Sequence, residues 1–157
     1  GSIDPAIIPY LMGRTGMSAQ EIDTYMNKKS GMLGVSGVSS DFRDLAAATK
    51  QGNERAALAR KMFCYKVRQF IGAYAATLGG VDAIVMTAGV AENDCYIREM
   101  ILEGLEYLGM DMDWEFNRSC PRATDLEITK PTSKVHVYVI PTDEEMTIAR
   151  DTAALAL

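Results

Sequence analysis

The sequence predicts an α/β fold, a short and mostly parallel sheet flanked by helices. Two segments that each read strand, turn, helix carry the prediction, one over 81–108 and one over 134–156. The third observation is a long apolar helical pattern over 53–78, directly ahead of the first of these segments. A strand–helix–strand order calls for a right-handed parallel crossover, which lays helices on the sheet. A chain of 157 residues is long enough for one domain with a real core, so residues 1–157 are expected to form a single domain.

Taken in order, Gly1-Ser2 are either native or added residues, and Asp4-Pro5 is a helix start, an acid at the N-cap with Pro after it. Ile7, Ile8, Leu11 and Met12 give that helix its apolar side, and Gly13 to Gly16 end it. Ser18 to Glu21 fit a capping box for a second helix, with Ile22, Tyr25 and Met26 on one side and a stop near Lys28-Lys29. The stretch from Gly31 to Asp44 holds three glycines and three serines, so a loop of special backbone geometry is expected. Ser39 or Ser40 would cap the following helix, with Asp41 and Asp44 in its first turn. Arg43 stands where the helix dipole disfavours a cation. It is either paired with a neighbouring Asp or reaches toward a ligand, since a guanidinium stacks on bases and clamps anions.

From Asn53 to Leu78, Ala59, Phe63, Val67, Phe70, Tyr74 and Leu78 recur at spacings of three and four. Leu58, Met62, Tyr65 and Ile71 widen that face, and Gly79-Gly80 close the helix. Val81 to Met86 then reads as a strand, Thr87-Ala88-Gly89 as a small-residue turn, and Asn93 or Asp94 as the N-cap of a helix reaching Leu108. Met110 to Thr132 reads as an irregular excursion with at most short strands, its Trp114 a packing anchor. Lys134 to Ile140 is a second strand, with Val135, Val137 and Val139 on one face and His136 on the other. Pro141-Thr142 turns the chain into a last helix opened by Asp143, Glu144 and Glu145.

Composition narrows the function classes. A net charge of −5, with no cluster of Lys and Arg beyond a pair, argues against a nucleic-acid surface. No apolar run is long enough to cross a bilayer, so no membrane is expected as partner. Cys64, Cys95 and Cys120 are odd in number and far apart, matching neither a disulfide framework nor a metal spacing, and read as reduced thiols of a cytoplasmic protein.

The chemistry is expected where the two strand–turn–helix segments meet. Parallel strands put Gly89–Asn93 and Thr142–Glu145 at one edge of the sheet, where open α/β sheets bind ligands. Small residues and free helix N–H groups on one side suit phosphate, and carboxylates on the other suit Mg²⁺. Helix capping alone also accounts for Asp143 and Glu144. There is no Walker A loop, dinucleotide glycine fingerprint, nucleophile elbow or His/Cys metal cluster. The residues alone therefore lead to nucleotide or phosphate binding and no further.

Six segments together resemble the C-terminal part of acetate kinases. They are Ile3-Asp-Pro-Ala-Ile7, Lys28-Lys-Ser-Gly31, Gly34-Val-Ser-Gly-Val-Ser-Ser-Asp-Phe-Arg-Asp44, Ile71-Gly-Ala-Tyr74, Thr87-Ala-Gly-Val-Ala-Glu-Asn93 and Ile140-Pro-Thr-Asp-Glu-Glu145, in the family's order over nearly the whole chain. The resemblance implies a fragment of a ribonuclease-H-like domain, the fold shared by acetate and sugar kinases, heat-shock chaperone ATPases and actin. It implies phosphoryl transfer between ATP and acetate, giving acetyl phosphate and ADP, with Mg²⁺.

By motif, Asp41, Phe42 and Arg43 match the nucleotide-binding segment, Arg43 lying against the adenine, and Gly89, Val90, Ala91, Glu92 and Asn93 match the adenosine turn. Glu144 matches a glutamate tied to Mg²⁺ and activity. Ala91 stands where the family usually has a second glycine, so strain is expected there if the position needs positive φ. Asp143 replaces a common Asn. The family's acetate pocket, catalytic histidine and aspartate, Gly-rich hairpin and first strands of the second domain have no counterpart here. No catalytic residue is therefore assigned to this chain, and acetate would be met through the N-terminal portion. The resemblance also implies a homodimer joined through this part. Propionate or another short-chain acyl kinase is the alternative, and beyond enzymes a non-catalytic dimerisation or binding module.

Overall fold

The structure, a computed structural model, describes residues 3–122 and 124–156; Gly1-Ser2 lie outside the described residues. The chain falls into two compact units, residues 1–63 and 64–157.

In residues 1–63 the helices begin and end on local chemistry. Asp4 Oδ1 accepts the Ala6 N–H at 2.9 Å, and α1 (Ile7–Thr15) starts just beyond, closed by Gly16 at φ 72°. The Ser18–Glu21 capping box is formed, and α2 (Ala19–Thr24) follows, continuing as a π-helical turn over Tyr25–Lys29. The Gly31–Asp44 stretch, expected as a loop, is half helix: α3 (Gly31–Ser36) ends at Gly37, φ 67°, whose N–H donates to Leu33 O at 2.8 Å. Its half-buried Met32, Leu33 and Val35 outweigh the poor helix propensity of glycine. Arg55 Nε also donates to the Val35 carbonyl at 2.8 Å, a cation at a helix C-terminus. α4 (Phe42–Lys50) and the first part of α5 (Glu54–Leu78), as far as Phe63, complete the unit, with Ile22, Leu45, Ala56 and Ala59 buried. Phe42 meets Phe63 edge to face, ring centroids 4.7 Å apart.

Residues 64–157 hold the sheet. β1 (Ala83–Met86) is followed by α6 (Ala88–Asn93) and α7 (Cys95–Leu102). A 3₁₀ turn over Glu106–Leu108 and α8 (Trp114–Ser119) come next, then β2 (Leu126–Glu127), β3 (His136–Val139) and α9 (Glu144–Ala156). The strand order is β1-β3-β2; β1 and β3 run parallel from Ala83↔His136 to Met86↔Val139, and β2 lies antiparallel on β3. Ile84, Met86, Val137 and Val139 are buried on the sheet, with Ile97, Ile101, Leu102 and Leu105 from the helical layer.

Three expectations are corrected here. The helix expected to reach Leu108 stops at Leu102, because Gly104 takes φ 84° and Arg68 donates to the Met100 and Ile101 carbonyls that a longer helix would use. The excursion over 110–132 contains helix α8, started by Asp113 Oδ1 accepting the Phe116 N–H at 2.8 Å. With the domain's first strands missing, strand 81–86 or strand 134–140 is expected to lack an antiparallel neighbour; strand 134–140 has β2 beside it, and β1 is the strand left at the edge.

Candidate functional site

Asp41 is the N-cap of α4: its Oδ1 accepts the Arg43 N–H at 2.8 Å, and Ser39 Oγ accepts the Asp41 N–H and donates to Asp44 Oδ2. The expected serine cap is thus one step removed, with Ser39 bracing the true cap. Of the two readings of Arg43, the structure realises the ion pair: Nη2 lies 2.6 Å from Asp41 Oδ2. That hydrogen bond holds the Asp41 carboxyl down to about 2. The depressed value means the pair is intact at neutral pH and lost only as pH falls below the ordinary carboxylate range toward 2. Yet the Arg43 side chain is 91% exposed, and such surface pairs hold weakly, so its planar face is open to a ligand. Phe42 is half-buried against Phe63, a packing role.

In the second unit, the expected turn Gly89–Asn93 is itself helical, being most of α6. Gly89 does not have positive φ, and a Cβ built on it meets nothing within 4 Å, so open space faces its backbone. Ala91 is a correction: it lies within α6, and the non-glycine with positive φ among the described residues is Ala88, at 64°. The strain stands at the junction of strand and turn, where the chain must leave β1 sharply. Ala88→Gly is expected to stabilise the chain by up to about 1 kcal/mol in urea denaturation by removing that strain; a loss of stability would show that none is stored there.

The turn is held from three directions. Asn93 Nδ2 donates to the Gly89 carbonyl at 2.8 Å. Arg98 Nη1 donates to the Ala91 and Glu92 carbonyls at 2.7 and 3.0 Å. The Glu92 carboxylate reaches the other turn, its Oε1 accepting Thr142 N–H at 2.9 Å and Thr142 Oγ1 at 3.1 Å. The two turns at the carboxyl ends of β1 and β3 are thereby joined, as the parallel order predicted. Asp94, not Asn93, caps α7, taking the Tyr96 and Ile97 amides.

Arg98 is the residue that sequence reasoning missed. It is 3% exposed and also donates to Asn117 Oδ1 at 2.7 Å and Asn117 O at 3.0 Å. The signal was an arginine beside Ile97 on the apolar side of a helix that also presents Ile101 and Leu102.

Glu144 opens α9 and is exposed, and Asp143 Oδ1 accepts the Met146 N–H at 3.1 Å as the cap. Among the described residues no group of three or more His, Cys, Asp or Glu converges as a metal cage. Mg²⁺ is often held by one or two carboxylates with waters and substrate phosphates, and this donor set fits that role rather than an all-protein site.

Residues 1–150 match the Acetokinase family. The chain belongs to that family. It is 55% identical over 152 residues to an acetate kinase of Methanosarcina acetivorans, covering 97% of this chain and 37% of that protein. An acetate kinase of Clostridium botulinum is 55% identical over 157 residues, covering 100% and 39%. Among solved structures, that of Porphyromonas gingivalis acetate kinase superposes with a TM-score of 0.88 at 46% identity, covering 100% of this chain and 39% of that one. A propionate kinase from Francisella tularensis gives 0.81 at 34% identity, covering 95% and 37%. The chain thus spans about two fifths of the length of these relatives, and its α/β fold is the one they share.

Proposed function

We propose that these residues are the nucleotide-binding C-terminal portion of an acetate kinase, a cytoplasmic enzyme that transfers phosphoryl between ATP and acetate to give acetyl phosphate and ADP. The observation that carries the reading is the joined edge: the open backbone at Gly89 stands on the turn that Glu92 ties to Thr142, next to the carboxylates of α9. Gly89 to Asn93 receive the adenosine, with Asn93 holding the turn closed and Glu92 facing Thr142. Asp41 orients Arg43, whose exposed guanidinium is suited to stack on a base, and Phe42 anchors that segment. Glu144 would hold Mg²⁺, which would supply positive charge to offset that of the phosphates.

Calorimetry of ADP with this chain tests the reading. Arg43→Ala is expected to weaken binding about fivefold, the worth of one stacked guanidinium, and Gly89→Val to remove it by filling the open space. Equal affinity in all three proteins would reject it. A propionate or other short-chain acyl kinase is the second reading, favoured by the propionate kinase among the structural relatives, because the acyl pocket lies outside these residues.

The same portion forms the homodimer. Phe70, Tyr74 and Leu78 stand exposed along α5, and the Phe70 and Tyr74 rings stack at 6.2 Å. A symmetric pairing would cover this stripe. Light scattering at micromolar concentration is expected to give twice 17.2 kDa for the chain and a monomer for Tyr74→Glu. A monodisperse monomer without the substitution would exclude the dimer, and a non-catalytic binding module would keep it.

A further inference from the structure

β1 and β3 lie side by side, and the chain leaves them at Met86 and Val139. Beyond these ends one segment folds at once into α6, and the other passes through Pro141 and Thr142 into α9. None of the described residues of α9 is buried, so its own side chains do not fix where it begins. Its position is set just ahead of it. Ile140 N–H donates to Met86 O at 3.0 Å, and both donors of Thr142 converge on one oxygen of Glu92 from fifty residues away. Asp143 then caps the first turn, and Glu144 is the first residue of the helix. Glu92 is anchored from behind, since its carbonyl accepts from buried Arg98. Bonds to an ionised carboxylate are stronger than bonds to a neutral oxygen. A series of hydrogen bonds therefore runs from the buried guanidinium to the start of an otherwise exposed helix.

We propose that Glu92 is a positioning residue: its carboxylate latches Thr142 and thereby sets where Glu144 and the start of α9 stand relative to the Gly89 turn. Its bearing on phosphoryl transfer rests on the nucleotide reading above; the latch itself does not. Without it, residues 140–143 become a hinge, and the carboxylates of α9 lose their fixed distance from the turn. The Glu92 carboxylate acts through Thr142, while its backbone remains part of the Gly89–Asn93 turn.

Amide hydrogen exchange by NMR on this chain, as wild type, Glu92→Ala and Glu92→Gln, tests the latch. The alanine variant is expected to exchange the Thr142 amide about tenfold faster or more, as loss of a charge-assisted bond requires. The glutamine variant keeps an acceptor oxygen of the same reach and stays within about threefold of wild type. Amides of β3 are expected to hold their wild-type rates in all three, which separates loss of the latch from unfolding. Unchanged Thr142 exchange in the alanine variant, or equally fast exchange in the glutamine variant, overturns the proposal. ADP calorimetry on the same proteins reads the consequence: Glu92→Ala weakens Mg²⁺–ADP about fivefold and Mg²⁺-free ADP less than about twofold, and Glu92→Gln restores both. Equal weakening of both forms overturns the link to Glu144. Failure of the wild-type chain to bind ADP overturns the nucleotide reading while the exchange pattern still decides the latch.

Discussion

Arg98→Ala is expected to destabilise the chain by about 3 kcal/mol or more, enough to unfold a substantial fraction of a marginally stable protein. The guanidinium is 3% exposed and donates to four protein oxygens: Asn117 Oδ1, Asn117 O, Ala91 O and Glu92 O. Truncation leaves these acceptors without their donor, each an unsatisfied polar group costing about 1–3 kcal/mol where water cannot replace it. It also opens a cavity between α7 and α8 and frees the carbonyls at the end of α6. Arg98→Lys retains a charge but not the planar fork, so it recovers only part of the loss. Arg118→Ala is the control: Arg118 bridges Glu99 at 2.7 Å but is exposed, so its loss is expected to change stability little. Urea unfolding of the three variants decides it, and an Arg98→Ala midpoint at the wild-type value would show that the turn does not depend on this arginine.

The 157 residues by themselves are expected to form no acetyl phosphate. Phosphoryl transfer depends on positioning and on stabilising charge around the transferred group, where one well-placed arginine alone is worth about 10³–10⁵ in rate. The histidine and the exposed arginine to be considered for that task already have protein partners. The chain's one histidine, His136, sits on the outer face of the sheet with Nδ1 2.6 Å from Glu127 Oε1. Arg43 is paired with Asp41. An assay for acetyl phosphate with ATP, acetate and Mg²⁺ is therefore expected to read at the protein-free blank, at least about 10³-fold below a full-length relative. Product above the blank that disappears in Glu144→Ala would reverse the conclusion.

Much of this fold was legible because local chemistry and burial agreed. Val137 and Val139 alternate with His136 and Tyr138, and that period of two needs one buried sheet face. The capping box at Ser18, the Asp94 cap and the glycine pair after Leu78 are short-range devices that work wherever the segment lies. The misreadings came where distant residues overrode local signals. Glycine density in 31–37 argued for a loop, but half-buried Met32, Leu33 and Val35 and the Arg55 bond to Val35 stabilise a helix there. Leu105 and Leu108 continued the helical spacing, but Gly104 broke it and Arg68 took the carbonyls.

The sequence by itself determined the α/β class, the two strand–turn–helix segments and the location of the candidate turns, since periodicity and capping are properties of neighbours along the chain. Its motifs also carried the acetokinase resemblance, because residue types in order need no coordinates. Only the tertiary structure decided what each side chain at those turns does. It placed the strain at Ala88 rather than Ala91, buried Arg98 behind the turn and directed the Glu92 carboxylate to Thr142. Those outcomes depend on a hydrogen bond across fifty residues and on a guanidinium enclosed by α6, α7 and α8, and neither separation has a spacing in the sequence.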